Sequence, residues 1–263
     1  MARLGLGLGV AARRAARVFP GGILNAVSSP ATFEALGATW TIGDLSPVLW
    51  CHADEGVTAT GDPLLADAWA DQREEVEYVW EPTSDGHPKY IEDARGHALR
   101  FEGPMSLGCA ALAGLPVGSA AITVAMALEA TLDGSERYLV SWGKAGGGGE
   151  LGIYYGSAPI HMRHFRWTTT ANGSAAIAQS TPFAGVVVAR YTGTQLLLRI
   201  SGTDADAVSV GGTLAVDTLT LGGELPGVRR LVGDVRELAI WDRSLTDAEA
   251  AAVDVTLRTA WGY

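Results

Sequence analysis

Cysteine and long apolar runs are both scarce in this chain of 263 residues. Its two cysteines, Cys51 and Cys109, are too few for a disulfide framework. We therefore expect two small buried thiols, with one bridge between them as the alternative. The apolar runs are too short to cross a bilayer, so we expect no helical membrane span. The first of them, residues 4–12, is diluted by glycine and precedes most of the nearby arginines, which is the wrong order for a secretory signal.

Basic residues are also few, and they are unevenly placed. The chain has 19 Lys and Arg against 29 Asp and Glu, for a net charge of −10. Residues 1–20 hold no acid but carry four arginines: Arg3, Arg13, Arg14 and Arg17. The acidic remainder argues against nucleic acid as a partner. A basic arm on an acidic body instead predicts a segment that docks on a neighbouring protein.

Turn residues and short apolar runs make up most of what remains. Hydrophobic residues are 48% of the chain, charged residues only 18%, and glycine occurs 34 times, as is typical of a folded domain with many tight turns. Residues 1–45 predict an extended arm and connector, broken at Pro20-Gly21-Gly22 and Ser28-Ser29-Pro30. No strand pattern alternates with a helical one, so we predict an all-β, antiparallel domain over residues 46–263.

The clearest strand pattern covers Ala120 to Thr131, where apolar residues alternate with smaller or polar ones. This period of two predicts a half-buried strand. Further strands are predicted over Tyr138–Trp142, Leu151–Tyr155, Val186–Tyr191, Leu196–Ile200, Leu219–Leu221 and Val235–Trp241. Short strands at this spacing are typical of a sandwich or barrel.

One helix is predicted near the end of the chain, over about residues 246–260. Thr246 occupies the N-cap position and Glu249 follows three residues later, which together make a capping box. An apolar face at helical spacing follows: Ala250, Val253 and Leu257. We expect this face to pack on the outside of the sandwich.

Two segments carry a resemblance to a known family. The first contains Leu49-Trp50-Cys51-His52-Ala53-Asp54-Glu55-Gly56-Val57, Trp69-Ala70-Asp71-Gln72, Pro88-Lys89-Tyr90 and Ala98-Leu99-Arg100-Phe101-Glu102-Gly103. The second, residues 233–249, ends in Asp242-Arg243-Ser244-Leu245 and the capped helix. Over residues 47–263 the chain resembles laminin-G-like, concanavalin A-like jelly-roll domains of phage and bacterial surface proteins. The resemblance implies a jelly-roll sandwich with one C-terminal helix.

The resemblance says little about chemistry, because this fold hosts lectins, hydrolases and inert structural modules alike. Together with the basic arm, it predicts a virion structural protein of a bacteriophage-like particle, in the tail fibre or tip or on the capsid. The arm would contact other virion proteins in a multi-copy assembly, and the jelly roll would bind a host-surface glycan or protein. The alternative is a stand-alone secreted carbohydrate-binding or glycan-processing protein.

Enzymatic activity is not predicted. A glycosidase needs two carboxylates flanking the scissile bond, and the family's hydrolases usually carry them as E-x-D-x-x-E, a run that this sequence lacks. The nearest acidic cluster, Glu74, Glu75 and Glu77, is interpreted as a solvated loop or edge. Glu92 and Asp93 are adjacent, so they would face opposite sides of a strand.

No metal or cofactor is predicted either. His161 and His164 would point to opposite faces of a strand, and neither Cys nor a third His lies nearby to complete a zinc site. Asp204 and Asp206 are interpreted as a polar turn rather than as calcium ligands. The glycines of residues 146–149 lack the Lys-Ser/Thr and the helix of a phosphate loop.

A candidate ligand face lies in the stretch from residue 154 to residue 167. Sugar binding needs exposed aromatics beside polar hydrogen-bonding groups, and this stretch has both. Alternation puts His161, Arg163, Phe165 and Trp167 on one face of a strand. Of these, His161, Arg163 and Trp167 are predicted, with Tyr155, to bind a glycan or a partner protein, and an ordinary sheet surface is the alternative.

Overall fold

The computed structural model describes residues 41–72, 79–83, 86–109, 115–116, 120–131, 133, 135, 137–142, 150–156, 161–167, 173–179, 182–210, 219–223 and 229–263. For residues 142, 150, 151, 156, 161–167, 173–176 and 178 it describes the backbone alone. The predicted basic arm, with Arg3, Arg13, Arg14 and Arg17, lies outside the described residues and stays a prediction.

The described residues form 18 strands, one α-helix and one short 3-10 helix. The strands, β1 to β18 in chain order, are Leu49–His52, Val57–Thr60, Leu65–Ala70, Val79–Pro82, Lys89–Asp93, Gly96–Phe101, Leu107–Cys109, Ile122–Ala130, Arg137–Trp142, Glu150–Gly156, His161–Trp167, Gly173–Ala178, Phe183–Tyr191, Gln195–Ile200, Thr203–Asp204, Val208–Ser209, Leu219–Leu221 and Gly233–Trp241. The 3-10 helix is Ile42–Leu45, and the α-helix, α1, is Asp247–Trp261.

The strands form two layers. The front layer runs β5, β6, β18, β8, β13 and β14, with β1 beside β6 on the same edge of β18 and the short β15 and β16 on β14. The back layer runs β2, β3, β4, β7, β17, β9, β10, β11 and β12. The pair Leu65 and Lys89 joins the two layers. All these pairings are antiparallel, so the predicted antiparallel jelly-roll sandwich is confirmed.

The main core lies between the two layers. Met126 and Leu128 of the front layer and Trp69 and Trp80 of the back layer are fully buried there. Each large apolar side chain buried in this way contributes about 1.5–3 kcal/mol. Cys51 and Cys109 are buried in the same core, and no disulfide joins them, so the predicted buried thiols are confirmed.

Strand β8 is buried on both faces, although its alternation predicts a half-buried strand. One face enters the main core as predicted, through Ile122, Val124, Met126 and Leu128. The other face carries Ala125 and Ala127, which pack under α1 in a second apolar cluster. The prediction of a solvent face was wrong because the small alanine side chains let the helix cover the sheet.

Helix α1 has the caps that its sequence predicts. Thr246 accepts a hydrogen bond from the backbone N–H of Glu249 at 3.2 Å, and Glu249 accepts one from the backbone N–H of Thr246 at 2.8 Å. Gly262 closes the helix in the left-handed region, with a φ of 68°. The predicted apolar face is buried: Ala250, Val253 and Leu257. The predicted helix on the outside of the sandwich is therefore confirmed.

Residues of the opening motif hold β1 in place. The backbone N–H of Trp50 donates to Asp71 at 2.9 Å, and the indole N–H of Trp69 donates to the carbonyl of His52 at 3.1 Å. These bonds fasten β1 to the end of β3, so the motif is a signature of the fold rather than of a site.

The packed domain begins slightly before residue 46. Ile42, in the 3-10 helix, is buried in the same cluster as α1. The end of the predicted connector therefore belongs to the folded body. Among the described residues, no helix is both long and apolar enough to span a membrane.

Candidate functional site

A row of mostly polar residues crosses the outer face of the front layer, just beyond the end of α1. Strand register places five residues in this row: Lys89, Arg100, Asp234, Glu129 and Ala184. The adjacent row includes Ala127 and Val186, which lie in the apolar cluster under α1. The polar row is therefore the first part of this face that the helix leaves open to solvent.

A groove of about 250 Å³ lies along this row. Its polar walls are formed by Arg100, Glu102, Glu129, Thr131 and Asp234. The rest of the lining is Phe101, Ala130, Pro182, Val232 and Gly233. Sites for drug-sized ligands measure about 300–1,000 Å³, so this groove suits one small polar unit. We call it the outer groove.

A forked ion pair lies in the wall of the outer groove. Nε and Nη2 of Arg100 each donate to one carboxylate oxygen of Asp234, both at 2.8 Å. The side chain of Asp234 is 8% exposed, whereas that of Arg100 is 39% exposed. The hydrogen bonds to Asp234 raise the pKa of Arg100 because they stabilise the charged guanidinium. Among the side chains that the structure describes, none bonds to Nη1 of Arg100, which leaves this donor for a ligand.

A second arginine supports the acidic side of the groove from within the fold. Arg236 is the extra residue of a β-bulge in β18, and its side chain is fully buried. Its Nη2 donates to Asp93 at 2.7 Å and to Glu129 at 2.8 Å. Its Nη1 donates to the carbonyls of Gly96 and His97 at 3.3 and 3.4 Å. The hydrogen bond from Arg236 lowers the pKa of Asp93.

Three carboxylates meet beside the groove. Oxygens of Asp93, Glu129 and Asp234 lie within 4.8 Å of one another, a spacing that in principle suits a cation or a catalytic pair. Arginines already bind all three: Arg236 holds Asp93 and Glu129, and Arg100 holds Asp234. A general acid needs a raised pKa, but that of Asp93 is lowered. The arrangement favours an ion-pair network over a metal or acid–base site.

A buried carboxylate fixes the border between the groove and α1. Glu237 accepts hydrogen bonds from the indole N–H of Trp50 at 2.7 Å and from that of Trp261 at 2.9 Å. Burial raises the pKa of Glu237 because it disfavours the charged form. Nε2 of His52 lies 3.8 Å from the same carboxylate. This clamp ties β1, β18 and the end of α1 together.

An aspartate–histidine pair lies on the neighbouring surface. Nδ1 of His97 is 2.9 Å from Oδ1 of Asp54, and the backbone N–H of His97 donates to the same oxygen at 2.9 Å. Burial alone would raise the pKa of Asp54, but these bonds outweigh it and lower the pKa. The ring of His97 stacks on Tyr90 with centroids 4.9 Å apart. No described Ser or Thr bonds to His97, so the described residues provide no hydroxyl nucleophile for this pair.

Tyr155 does not lie on a surface with the other residues of the predicted ligand face. Tyr155 is fully buried in the main core, where burial raises its pKa to about 12. Tyr155 therefore belongs to no surface site, because alternation along β10 places it, with Ile153, on the face between the two layers. His161, Arg163 and Trp167 lie on β11 as a strand, as predicted, but their side chains are outside the description. Their role in binding stays a prediction.

Other residues weighed from the sequence have ordinary structural surroundings where they are described. Asp204 ends the short strand β15, where it accepts a hydrogen bond from Arg199 at 2.5 Å, and Asp206 is exposed after the strand, so the polar-turn interpretation fits Asp206 but not Asp204. Glu92 is 76% exposed. The backbone of His161 and His164 lies in β11, without described side chains. The acidic cluster Glu74, Glu75 and Glu77 and the glycines of residues 146–149 lie outside the described residues.

The outer groove was not predicted from the sequence. A search for carboxylates along one strand does not detect Asp93, Glu129 and Asp234, because they come from three strands. One signal was present: the charged residues Arg100 and Asp234 lie near the ends of strands β6 and β18.

Comparison with known proteins finds structures with the same fold but does not assign the chain to a family. No family model and no curated protein matches the chain. Domain 4 of AbnA, a GH43 extracellular arabinanase from Geobacillus stearothermophilus solved in complex with arabinotriose, has a TM-score of 0.60 at 11% identity. That match covers 79% of this chain and 98% of the domain.

Binding domains of botulinum neurotoxins share the fold as well. The binding domain of neurotoxin DC, in complex with rat synaptotagmin II, has a TM-score of 0.55 at 10% identity and covers 82% of this chain. The same binding domain in complex with SialylT has a TM-score of 0.57 at 11% identity, again covering 82% of this chain. The chain spans only about half of these domains, at 52% of each. Jelly-roll domains that bind carbohydrates or receptors are thus its structural neighbours.

Proposed function

We propose that this chain is a non-catalytic glycan- or receptor-binding module, carried in many copies on a bacteriophage-like particle. The outer groove is the observation that carries the binding role, because it presents solvent-accessible donors and acceptors on rigid strands. Two kinds of structural neighbour support the role: an arabinanase domain in complex with arabinotriose and a neurotoxin binding domain in complex with rat synaptotagmin II.

The carboxylates beside the outer groove are arranged for binding rather than for catalysis. Asp93, Glu129 and Asp234 are the carboxylates nearest to the groove, and each is bound by an arginine. Guanidinium groups already occupy oxygens of all three, and the hydrogen bond from Arg236 lowers the pKa of Asp93, whereas glycoside hydrolysis needs one carboxyl group with a raised pKa as the general acid. The same groove therefore supports recognition of a sugar without its cleavage.

Thr131 offers a direct test of the groove. It is exposed at the rim, so Thr131→Trp fills the groove and leaves the ion pairs in place. Thr58→Trp is the matched control, because Thr58 is exposed on β2 in the back layer. Against an immobilised glycan panel, we expect Thr131→Trp to lose binding by about tenfold or more, equivalent to about 1.4 kcal/mol, and Thr58→Trp to bind as the parent does.

Two results would contradict this proposal. Equal binding by Thr131→Trp and the parent would show that the groove is not the site. Release of sugar from bound glycans, abolished by Asp93→Asn or Glu129→Gln, would show that the module is an enzyme.

The virion role rests on the basic arm. Arg3, Arg13, Arg14 and Arg17 have no acids among them, and guanidinium groups pair bidentately with carboxylates of a neighbour. Each exposed ion pair contributes only about 0.2–1 kcal/mol, so anchoring requires several contacts together. Deleting residues 1–20 should leave thermal unfolding of the sandwich unchanged and abolish incorporation into particles. Normal incorporation of the truncated chain, or its secretion as a free lectin, would favour the stand-alone alternative.

A further inference from the structure

The outer groove is electrically balanced. Each carboxylate around it has a cationic partner at 2.6–2.8 Å: Arg100 for Asp234, Lys89 for Glu102, and Arg95 and Arg236 for Glu129. Asp93, behind Glu129, shares Arg236 at 2.7 Å. No cation lining the groove is left without a carboxylate among the described residues. The groove therefore presents strong hydrogen-bonding groups with almost no net charge.

This balance discriminates between classes of sugar. A carboxylated sugar at Nη1 of Arg100 meets a guanidinium that Asp234 already neutralises, and it is repelled by Asp234 and Glu102; an ammonium at Glu102 is likewise repelled by Lys89 and Arg100. A charged sugar therefore brings a net charge into a balanced groove and gains no unpaired counter-ion. A neutral hydroxyl meets no such repulsion, because it accepts from a guanidinium and donates to a carboxylate lone pair without separating them.

The accessible atoms are placed for adjacent hydroxyls. Arg100 lies on β6 and Glu102 directly follows that strand, two residues further along, and Asp234 and Glu129 face each other across β18 and β8. The side chains of Arg100, Glu102 and Glu129 are 39%, 47% and 28% exposed. The exposed donor of Arg100 therefore has an exposed acceptor on either side, Glu102 along the chain and Glu129 beyond Asp234 in the row, so a hydroxyl can bond to the donor and its neighbour to an acceptor.

We infer that the outer groove binds a neutral saccharide unit through adjacent hydroxyls, which accept from Nη1 of Arg100 and donate to Glu102 or Glu129. This inference rests on the proposed function and specifies its ligand class. Among the described residues of the lining, the only aromatic is Phe101, which is fully buried and offers no stacking surface. A single site is accordingly weak, and useful binding depends on many copies, which agrees with display on a particle.

The test compares multivalent probes that differ in one functional group. Neutral hexose and pentose conjugates are matched with uronic acid, sialic acid and amino sugar conjugates at equal density. We expect the parent chain to prefer the neutral probes by about tenfold or more. Raising the ionic strength from about 0.05 to 0.5 M should change neutral binding less than about twofold, because screening acts on net charge.

Glu102→Gln tests the charge balance itself. The variant keeps a hydrogen-bonding oxygen but releases Lys89 from its partner, so it should gain binding to the carboxylated probes by about threefold or more. Glu81→Gln is the matched control, because Glu81 is exposed on β4 in the back layer. It should bind every probe as the parent does.

Failure of the proposed function and failure of the neutral-sugar inference give different results. If no probe binds, or if binding ignores Thr131→Trp, the proposed function fails. If binding is lost in Thr131→Trp but the parent prefers carboxylated or amino sugars, with strong salt dependence, the proposed function stands and the neutral-sugar inference is overturned.

Discussion

Replacing Arg236 by methionine removes the buried cation and keeps most of the aliphatic volume. Two carboxylates, Asp93 and Glu129, then lose a partner at 2.7 and 2.8 Å and repel each other. Breaking a buried ion pair costs about 3–5 kcal/mol. The carboxylates are 37% and 28% exposed, so water compensates in part and the lower end, about 3 kcal/mol, is expected.

Urea unfolding followed by tryptophan fluorescence measures this loss, and calorimetry should show a melting temperature lower by about 6–12 °C. Arg95→Met is the control: Arg95 also binds Glu129, at 2.7 Å, but is 38% exposed, so its removal should cost less than about 1 kcal/mol. A loss below about 1 kcal/mol in Arg236→Met, or equal losses in both variants, would refute the network as a structural support.

The same variant has a defined pH dependence. Arg236 lowers the pKa of folded Asp93, so the stability from this interaction is present above the unfolded pKa and is lost as pH falls through the folded one. The stability gap between the parent and Arg236→Met should therefore narrow below about pH 4. If the stability difference between the parent and Arg236→Met stays constant until the chain unfolds in acid, the ion pair with Asp93 is not its cause.

Three further predictions concern the helix and its clamp. Thr246→Ala removes the N-cap and should cost about 1 kcal/mol of unfolding free energy, whereas Thr58→Ala, at an exposed strand position, should cost less. Leu257→Ala opens a cavity under α1 and should cost about 2–5 kcal/mol by denaturant unfolding; a smaller loss would mean that the helix is loosely packed. Burial raises the pKa of Glu237 in the folded chain. The free energy of unfolding that Glu237 contributes is therefore fully present below its unfolded pKa and is lost as pH rises through its folded pKa. The stability of Glu237→Gln relative to the parent should therefore improve from pH 4 to pH 7 in urea titrations, and a flat difference would count against this sign.

Strands and the helix could be predicted because their signals are local. Alternation located β8, and the capping box at Thr246 and Glu249 located α1. The second buried face of β8 could not be predicted, because alanine fits both a weakly polar surface and a close helix contact. What covers Ala125 and Ala127 is decided by a segment more than a hundred residues away.

The candidate site was harder to predict for the same physical reason. Arg100, Glu129 and Asp234 become neighbours only through strand register, and register depends on the whole sheet. Tyr155 shows the opposite failure: an aromatic beside polar residues suggests a sugar platform, yet its strand turns it into the core. Residue types indicate a chemistry, whereas sheet topology decides which of them share a surface.

Mapping the backbone amide shifts of the labelled chain during titration with a neutral glycan tests whether the outer groove is the binding site. The perturbed amides should cluster around Arg100, Glu129, Thr131 and Asp234. Perturbations confined to β11, around Arg163 and Trp167, would contradict it.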